Sequence, residues 1–226
     1  MKYNKTVQGI FISRPNRFIA HVLVNGKKQI CHVKNTGRCR ELLIEGVTVI
    51  LEENDSPSRI TKYDLIAVYK GETLINIDSM APNKVIGEWI ECSGIFGTVS
   101  RIKPETKYGN SKFDFYVESG EKKAFIEVKG VTLENDGIAM FPDAPTERGT
   151  KHLKELIRAK KDGFDCFVVF VIQMSGCKKF LPNAQTDPVF ASQLLYAAQN
   201  GVKIIAVDCK VYENELFVGE SIKADY

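Results

Sequence analysis

The chain has 226 residues, of which 44% are hydrophobic and 10% aromatic, and its formal net charge is +3. This composition excludes a disordered or strongly polycationic chain and predicts a globular protein of one large or two small domains. The chain has no apolar leader and no apolar run near the ~20 residues of a membrane span, and its six cysteines form no C-x-x-C pair, so we expect a reduced, cytoplasmic protein without a membrane partner.

The first 80 residues predict a strand-rich domain. The Asn25-Gly26 dipeptide is a strong type I′ hairpin signal between two apolar runs. Arg38 to Ile44 is a candidate short helix, with Leu42 and Leu43 facing inward. The expected strands are 9–13, 17–24, 29–33, 47–52, 65–69 and 73–77. Short strands with one helix are typical of a small closed barrel, so we predict an OB-like β-barrel for residues 1–80.

The positive charge of the chain is concentrated in this barrel. Residues 1–40 contain nine Lys or Arg and no Asp or Glu. OB-like barrels bind oligonucleotides on one face, and basic side chains cluster here near strand ends and loops: Arg14, Arg17, Lys34, Arg38 and Arg40. We therefore predict contacts with DNA. The alternative is a solvated rim, because Phe11 and Phe18 belong as readily to a core as to a base-stacking surface. His32 fits either a phosphate contact or the barrel interior.

A second domain is expected over residues 81–226. Pro82 and Asn83 interrupt the strand pattern, and Asn83 is a good N-cap for a helix that ends near Cys92. Its apolar stripe is Val85, Ile86, Trp89 and Ile90, which we assign to packing. Glu88 on this helix, or Glu105 in the segment 101–108, is a candidate third carboxylate for the site described next.

Residues 113–118 and 123–129 predict a β-hairpin around Ser119 and Gly120. A loop of two or four residues places Asp114 opposite Phe125 and on the same face as Glu127 and Lys129. The other face is wholly apolar and belongs against a core: Phe113, Phe115, Val117, Ala124, Ile126 and Val128.

Two carboxylates and a lysine on one sheet face suit a site for Mg²⁺ or Mn²⁺. A lysine beside the ion is placed to orient or deprotonate a water for attack on phosphorus. The alternative is an ordinary exposed hairpin face, since Asp114, Glu127 and Lys129 by themselves form a short and common pattern.

The remaining residues alternate helix and strand. Thr146 is the expected N-cap of a helix with Glu147 in its first turn and Leu153, Leu156 and Ile157 buried. Another face of this helix, either solvated or directed at the hairpin, carries Arg148, Lys151, His152 and Glu155. Residues 165–174 and 202–207 predict buried strands around a helix at 188–199, whose inward residues are Phe190, Leu194, Leu195 and Ala198. This order favours a mixed sheet flanked by helices, and the fold class is α/β (α+β).

Several segments between Pro15 and Val211 resemble the SfsA family of sugar fermentation stimulation proteins. They are Pro15-Asn16-Arg17-Phe18, His32-Val33-Lys34-Asn35-Thr36-Gly37-Arg38 with Glu41-Leu42-Leu43, Ser111-Lys112-Phe113-Asp114-Phe115, Ile126-Glu127-Val128-Lys129, and Phe141-Pro142-Asp143-Ala144-Pro145-Thr146-Glu147-Arg148-Gly149 with Lys151-His152-Leu153. The last block is far more specific than a bare E-x-K.

The resemblance implies an OB-like domain, a second domain similar to PD-(D/E)XK nucleases, DNA as a partner of low sequence specificity, and a role in regulating sugar metabolism, notably that of maltose. In the nuclease pattern Asp114, Glu127 and Lys129 are the catalytic set. We expect Asp114 and Glu127 to be the metal ligands, and Glu105, or else Glu88, to be the third. The DNA-binding set is Arg14, Arg17, Lys34, Asn35, Arg38, Arg40, Arg148 and His152. Asp114 follows Phe113 rather than proline, and Lys112 replaces a frequent arginine, which loses the bidentate fork.

Two functions from different classes follow. The first is a DNA-binding regulator with a divalent-metal site, and the second is an active Mg²⁺- or Mn²⁺-dependent nuclease. A weaker third is an enzyme acting on RNA or on a small phosphorylated molecule. Nuclease-like sheets also serve as binding platforms, so the fold does not decide between these functions. The sequence indicates neither an oligomeric state nor an effector.

Overall fold

The computed structural model describes residues 1–35, 37–56 and 59–226. Thr36, within one of the family-like segments, lies outside this range. Strands β1 to β6 form the first part of the chain: β1 (Lys5–Ser13), β2 (Ile19–Val24), β3 (Lys27–Val33), β4 (Thr48–Glu53), β5 (Tyr63–Lys70) and β6 (Thr73–Asn76). Neighbouring strands pair in the order β3-β2-β1-β4-β5-β6, and a parallel pairing of β3 with β5 closes the ring. The predicted OB-like barrel is therefore confirmed.

The hairpin between β2 and β3 turns where the sequence predicts. Asn25 and Gly26 have φ angles of 49° and 75°, the left-handed conformation that a type I′ turn requires at both central residues. The barrel interior is filled by alternate strand residues such as Val22, Cys31 and Leu65, which are fully buried. Period-two alternation therefore sets the barrel core.

The short helix expected over residues 38–44 is absent, and this prediction was wrong. The segment is a series of turns in which the amides of Leu42 and Leu43 both bond the carbonyl of Cys39. The Arg14 guanidinium donates hydrogen bonds to the carbonyls of Gly37 and Arg38. These carbonyls would otherwise accept the first hydrogen bonds of the helix. Leu42 and Leu43 are nevertheless buried, as expected, because the turns direct both side chains inward.

The second part of the chain is built on a mixed sheet. Its elements are α1 (Ala81–Cys92), β7 (Arg101–Tyr108), β8 (Ser111–Ser119), β9 (Lys122–Val131), β10 (Leu133–Asn135), β11 (Ile138–Phe141), α2 (Glu147–Lys161), β12 (Asp165–Ile172), β13 (Lys179–Pro182), α3 (Pro188–Gln199), β14 (Lys203–Val211), β15 (Leu216–Ser221) and β16 (Lys223–Ala224). The main sheet runs β15-β14-β12-β9-β8-β7, and a smaller sheet runs β10-β11-β13-β16. Helix α1 packs on one face of the main sheet, and α2 and α3 pack on the other.

The helices show two differences from the prediction. Helix α1 begins after Met80 rather than at Asn83, because Pro82 fits the first turn, where its missing N–H costs nothing. Asn83 is thereby freed and contacts the site described below. In α3 the buried residues include Leu194 and Ala197, whereas Leu195 is 41% exposed. Helix α2 starts after its predicted N-cap, Thr146, whose side chain accepts from the Gly149 amide.

The hairpin of β8 and β9 has a register two residues away from the predicted one. Tyr116 lies opposite Phe125, so the turn is centred on Gly120 and Glu121 rather than on Ser119 and Gly120. A shift of two preserves the faces of the strand, but it brings Asp114 to the level of Glu127 instead of Phe125. Both faces of the sheet are covered, so the alternative of an ordinary exposed hairpin face is wrong. Phe113 packs with Phe125 on the α2 face, apart from Phe115.

A buried polar network joins the barrel to the second part of the chain. The Gln173 side chain, just after β12, donates to Asn76 Oδ1 at 2.9 Å and to the Asp78 carbonyl at 3.1 Å. Asn76 donates to the Tyr3 hydroxyl, which in turn donates to Asp78 Oδ2 at 3.2 Å. Each of these side chains is buried, and buried polar groups are costly unless they are hydrogen bonded. The network therefore fixes the two parts against each other.

The thiols of Cys166 and Cys209 are buried as expected, and burial raises the pKa of each to about 12. Both side chains behave as small apolar core residues rather than as metal ligands. Within the described residues, no helix combines the length and the apolar character needed to cross a membrane.

Candidate metal and nucleic-acid site

Asp114 stands where the ladder between β8 and β9 stops. The last backbone pair is Phe115 with Ile126, and beyond it the Asp114 carboxylate accepts the hydrogen bond of the β9 backbone. Its Oδ2 accepts the Val128 amide at 2.7 Å, and its Oδ1 accepts the Asn83 side-chain amide at 2.8 Å. Two strands and the first turn of α1 therefore fix the orientation of this carboxylate.

Glu127 lies on β9 and is only 3% exposed. Its Oε1 accepts from Lys129 Nζ at 2.6 Å and also contacts His152 Nδ1 on α2. Its Oε2 is buried and has no hydrogen-bond partner among the described residues. One oxygen of this carboxylate is thus held by two cationic or donor groups, while the other is left free to bind something else.

The two carboxylates have shifted pKa values of opposite sign. Burial raises the pKa of Asp114, and the nearby charge of Glu127 raises it further. Burial also acts to raise the pKa of Glu127, but the hydrogen bond from His152 and the charge of Lys129 outweigh it, so that pKa is lowered. Burial and the charge of Glu127 thus disfavour the ionised form of Asp114, whereas His152 and Lys129 favour the ionised form of Glu127.

This pair fits a hard divalent cation. Mg²⁺ is commonly bound by one or two carboxylates, while waters and substrate phosphates supply the other oxygens. The unpartnered Oε2 of Glu127 and the raised pKa of Asp114 both mark a site that is short of positive charge. Among the described residues, no group of three His, Cys, Asp or Glu side chains is arranged around one metal position. In the described part of the chain, the candidate set is therefore the pair of carboxylates of Asp114 and Glu127.

Neither candidate third carboxylate joins this pair. Glu88 and Glu105 line a groove beside Asp114, but each is engaged elsewhere. Glu88 pairs with the Met1 amine at 2.7 Å, and Glu105 pairs with Lys112 at 2.5 Å. Glu105 lies on β7, at the edge of the sheet, and has a positive φ of 54° within the strand. Its carboxylate is thereby directed towards Lys112 at the surface.

The predicted DNA-binding residues separate into two groups. Arg17, Arg38 and Arg40 are exposed and line a groove of about 520 Å³ on the barrel. The Arg17 guanidinium lies 5.5 Å from the ring centre of Phe18, which is 50% exposed. Phe18 is therefore a surface aromatic residue, and the alternative in which it belongs to the core is wrong. Arg148 is exposed on α2.

The second group is used inside the protein. Arg14 donates to the backbone carbonyls of Arg17, Asn35, Gly37 and Arg38. The Asn35 side chain bonds the Ile77 carbonyl and the Gly37 amide. Lys34 lies among Glu52 at 3.0 Å, Asp78 at 3.4 Å and Asp64 at 3.8 Å. These side chains shape the loop after β3, and their geometry does not support direct contact with DNA.

His152 and Asn83 have roles that the sequence alone did not reveal. His152 was predicted to contact DNA, yet it is buried against Glu127. Asn83 was predicted as a helix cap, yet it binds Asp114. A signal for His152 was its position next to Leu153, a core residue, on the same helix. His32, which fitted two interpretations, pairs with Asp64 at 3.3 Å within the barrel.

The fold is that of an OB-like barrel followed by a nuclease-like α/β unit. Family models match both parts: the "SfsA N-terminal OB domain" over residues 12–77 and the "Sugar fermentation stimulation protein RE domain" over residues 80–215. Sugar fermentation stimulation protein homologues from Clostridium beijerinckii and Desulfitobacterium hafniense are each 56% identical over 98% of this chain, and the matches cover 98% and 97% of those proteins. The chain belongs to the sugar fermentation stimulation protein family.

A solved structure agrees with this fold. SfsA of Pyrococcus furiosus, determined in complex with Ca²⁺, superposes with a TM-score of 0.91 at 28% sequence identity. The comparison covers 100% of this chain and 98% of that protein. The barrel and the nuclease-like unit are thus shared along the whole length of the two chains.

Proposed function

We propose that this protein is a DNA-binding protein that holds a divalent cation, Mg²⁺ or Mn²⁺, between Asp114 and Glu127. The observation that carries the proposal is the buried, unpartnered Oε2 of Glu127 next to Asp114, whose pKa is raised. A cation there would relieve the repulsion between the carboxylates and satisfy the orphaned oxygen. The Ca²⁺ complex of the Pyrococcus furiosus relative supports this proposal.

DNA binding is supported by the groove on the barrel. Arginines at positions 17, 38 and 40 present guanidinium groups with no carboxylate paired to them among the described residues. Guanidinium groups bind phosphate in a bidentate manner, and an exposed aromatic ring such as Phe18 can stack on a base. We expect binding with low sequence specificity, because these groups address the backbone and the base faces rather than base edges.

The loop after β3 brings the barrel close to the nuclease-like unit. A Cβ built on Gly37 would lie 3.3 Å from Asp143 Oδ2, so the loop approaches the segment between β11 and α2. One nucleic-acid strand can therefore contact the barrel and the nuclease-like unit together. We place this activity in the cytoplasm, in the regulation of sugar metabolism and of maltose use. Transcript levels of maltose genes in a deletion strain test that assignment.

Phosphodiester hydrolysis is the second candidate function, and the position of Lys129 favours it. The Lys129 ammonium lies 2.6 Å from Glu127 Oε1 and is largely buried, close enough to the pair to orient a water or to stabilise charge on a phosphate oxygen. His152 holds the Glu127 carboxylate in place, and the carboxylate in turn fixes the position of the Lys129 ammonium. A divalent cation bound at the pair would supply Lewis-acid stabilisation of the phosphate.

Lys129→Met is expected to abolish cleavage while leaving DNA affinity within about twofold. The variant removes the ammonium group from the site but leaves the barrel groove intact. Labelled single- and double-stranded DNA and RNA, incubated with Mn²⁺ or with chelator, provide the measurement. Lys123→Met is the matched control, because Lys123 is exposed on the same strand, opposite Glu118.

The wild-type protein decides between the two functions in the same assay. Metal-dependent cleavage of any of the four substrates establishes the enzyme. If the protein retains DNA but does not cleave it at high protein concentration, the DNA-binding function stands and the nuclease function is wrong. If the protein retains no DNA at low salt, the proposed function is wrong.

A further inference from the structure

A second cleft, of about 260 Å³, opens between the barrel and the nuclease-like unit. Its walls come from the loop after β3, the start of α1, the end of β9 and the segment after β11. Gly130 in this wall follows Lys129 directly, and Pro82 precedes Asn83, the partner of Asp114. Two residues that line the cleft are therefore adjacent in sequence to residues of the carboxylate site.

The lining of this cleft combines polar side chains, such as those of Asn35 and Thr132, with apolar ones. Apolar surface comes from Pro82, Met140 and Phe141. None of the described residues that line it is Lys or Arg, and the charged group at its rim is the carboxylate of Asp143. A phosphate would be repelled from such a cleft, whereas the face of a nucleobase packs well against aliphatic and aromatic side chains.

Gln173 provides a polar group at the bottom of the cleft. The residue is 2% exposed, and its Nε2 already has two acceptors, Asn76 Oδ1 and the Asp78 carbonyl. Its Oε1 receives no hydrogen bond from any described residue. A Cβ built on Gly130 would lie only 2.6 Å from this oxygen and 2.8 Å from Pro82 Cγ, so glycine keeps the space open. This amide oxygen is open to the cleft rather than sealed in the interior, and it can accept a hydrogen bond from an N–H group on the edge of a base.

We propose that this cleft binds one unpaired nucleobase of the strand whose phosphodiester lies at Asp114, Glu127 and Lys129. The inference rests on the proposed function and names its substrate class. The cleft is smaller than the ~300–1,000 Å³ of ordinary ligand pockets, so it suits a single nucleotide. A base inside a duplex is stacked and paired and cannot enter. The substrate is therefore single-stranded nucleic acid, or a duplex with an unpaired nucleotide.

The first test compares three DNA ligands of equal length with the wild-type protein by fluorescence anisotropy. They are a single strand, a fully paired duplex, and a strand with abasic sites throughout, which keeps the phosphates but has no bases. We expect the intact single strand to bind at least about tenfold more tightly than the abasic strand, as is typical of base stacking in a protein site. The duplex should also bind more weakly than the single strand.

The second test fills the cleft. Ser79 is exposed at its rim, and its hydroxyl donates to the Lys34 carbonyl at 2.9 Å. Ser79→Trp should weaken single-strand binding about tenfold and leave duplex binding unchanged. Ser192→Trp is the matched control, because Ser192 is also exposed and its hydroxyl also donates to a backbone carbonyl, that of Val189 at 3.0 Å. That control should bind both ligands as the wild type does.

Failure of this inference is distinguishable from failure of the proposed function. Equal affinity for the intact and the abasic strand overturns the base-binding cleft while DNA binding stands. Loss of affinity for strand and duplex alike in Ser79→Trp also overturns it, since the cleft would then contact only the backbone. A wild-type protein that binds none of the three ligands overturns the function and the cleft together.

Discussion

Asp114→Asn is expected to raise the melting temperature of the metal-free protein at pH 8, whereas Glu127→Gln is expected to lower it. The Asp114 carboxylate is destabilised by burial and by Glu127, so removing its charge should stabilise the fold by about 1 kcal/mol, or ~2–4 °C for a chain of this size. An asparagine can still accept the Val128 amide. Glu127→Gln deprives His152 and Lys129 of a charged partner and should cost about 1–3 kcal/mol.

The dependence of these effects on pH has opposite signs. The pKa of Asp114 is raised in the folded protein, so its ionisation penalises the fold above that pKa and the penalty disappears as the pH falls through it. The advantage of Asp114→Asn should therefore shrink on acidification. The pKa of Glu127 is lowered, so its contribution is present above the ordinary glutamate value, ~4.3, and is lost as the pH falls through the folded value. The loss of stability in Glu127→Gln should therefore disappear only when the pH falls below the ordinary pKa of glutamate.

Divalent cation should reverse the order of stability between wild type and Asp114→Asn. A ligand at one hundred times its dissociation constant stabilises the folded state by about 2.7 kcal/mol. Thermal scans with and without Mn²⁺ should show this gain in the wild type and not in either carboxylate variant. Asp136→Asn, in an exposed turn between β10 and β11, is the control and should respond as the wild type does. An equal response in Asp114→Asn would place the cation elsewhere.

Reversing the charge of Arg17 and Arg38 together should weaken DNA binding at low salt by at least about a hundredfold. The plot of log affinity against log salt has a negative slope, and each phosphate contact that is lost makes it less steep by ~0.9. Both side chains line the barrel groove and neither is used in the fold in the way that Arg14 is. The Arg17→Glu/Arg38→Glu double variant should therefore remain folded and should melt near the wild-type temperature.

Lys27→Glu/Lys28→Glu is the matched control for that experiment. These exposed lysines begin β3, next to the Asn25-Gly26 turn, and are not among the residues that line the groove. The control changes the net charge by the same amount, so it measures the effect of overall charge alone. If both double variants lose affinity equally, the groove is a solvated rim and DNA binds through general electrostatics.

Most elements of this fold could be predicted from the sequence, because turns, helix caps and buried strands are determined largely by residues that are close together in sequence. The Asn25-Gly26 turn, the Thr146 cap and the buried run of β12 follow from turn chemistry, capping and apolar content. The error in the β8–β9 register arose because a two-residue loop fits more than one centre. The missing helix near Arg38 had a cause outside the local segment, namely the capture of its carbonyls by Arg14.

The candidate site shows the same division. Asp114, Glu127 and Lys129 share one hairpin, which brings them into one cluster. Strict alternation ends at Phe115, however, and the Asp114 carboxylate turns to the Val128 amide and to Asn83. The roles of His152 and Asn83 depend on how α2 and α1 pack on the sheet, which the sequence does not specify. Likewise, the exposed Glu105 carries the right chemistry, but the ion pair with Lys112 draws it away from Asp114.

The hydrogen bonds among Tyr3, Asn76, Asp78 and Gln173 have a practical consequence for how this chain can be dissected. Residue 80 is the boundary that the sequence suggests, yet a cut there would leave Gln173 without its acceptors and Asn76 and Asp78 open to water. Isolated halves would also lack one wall of the cleft beside Gly130. Fragments are therefore poor substitutes for the whole chain, and binding and cleavage belong to the intact molecule as one unit.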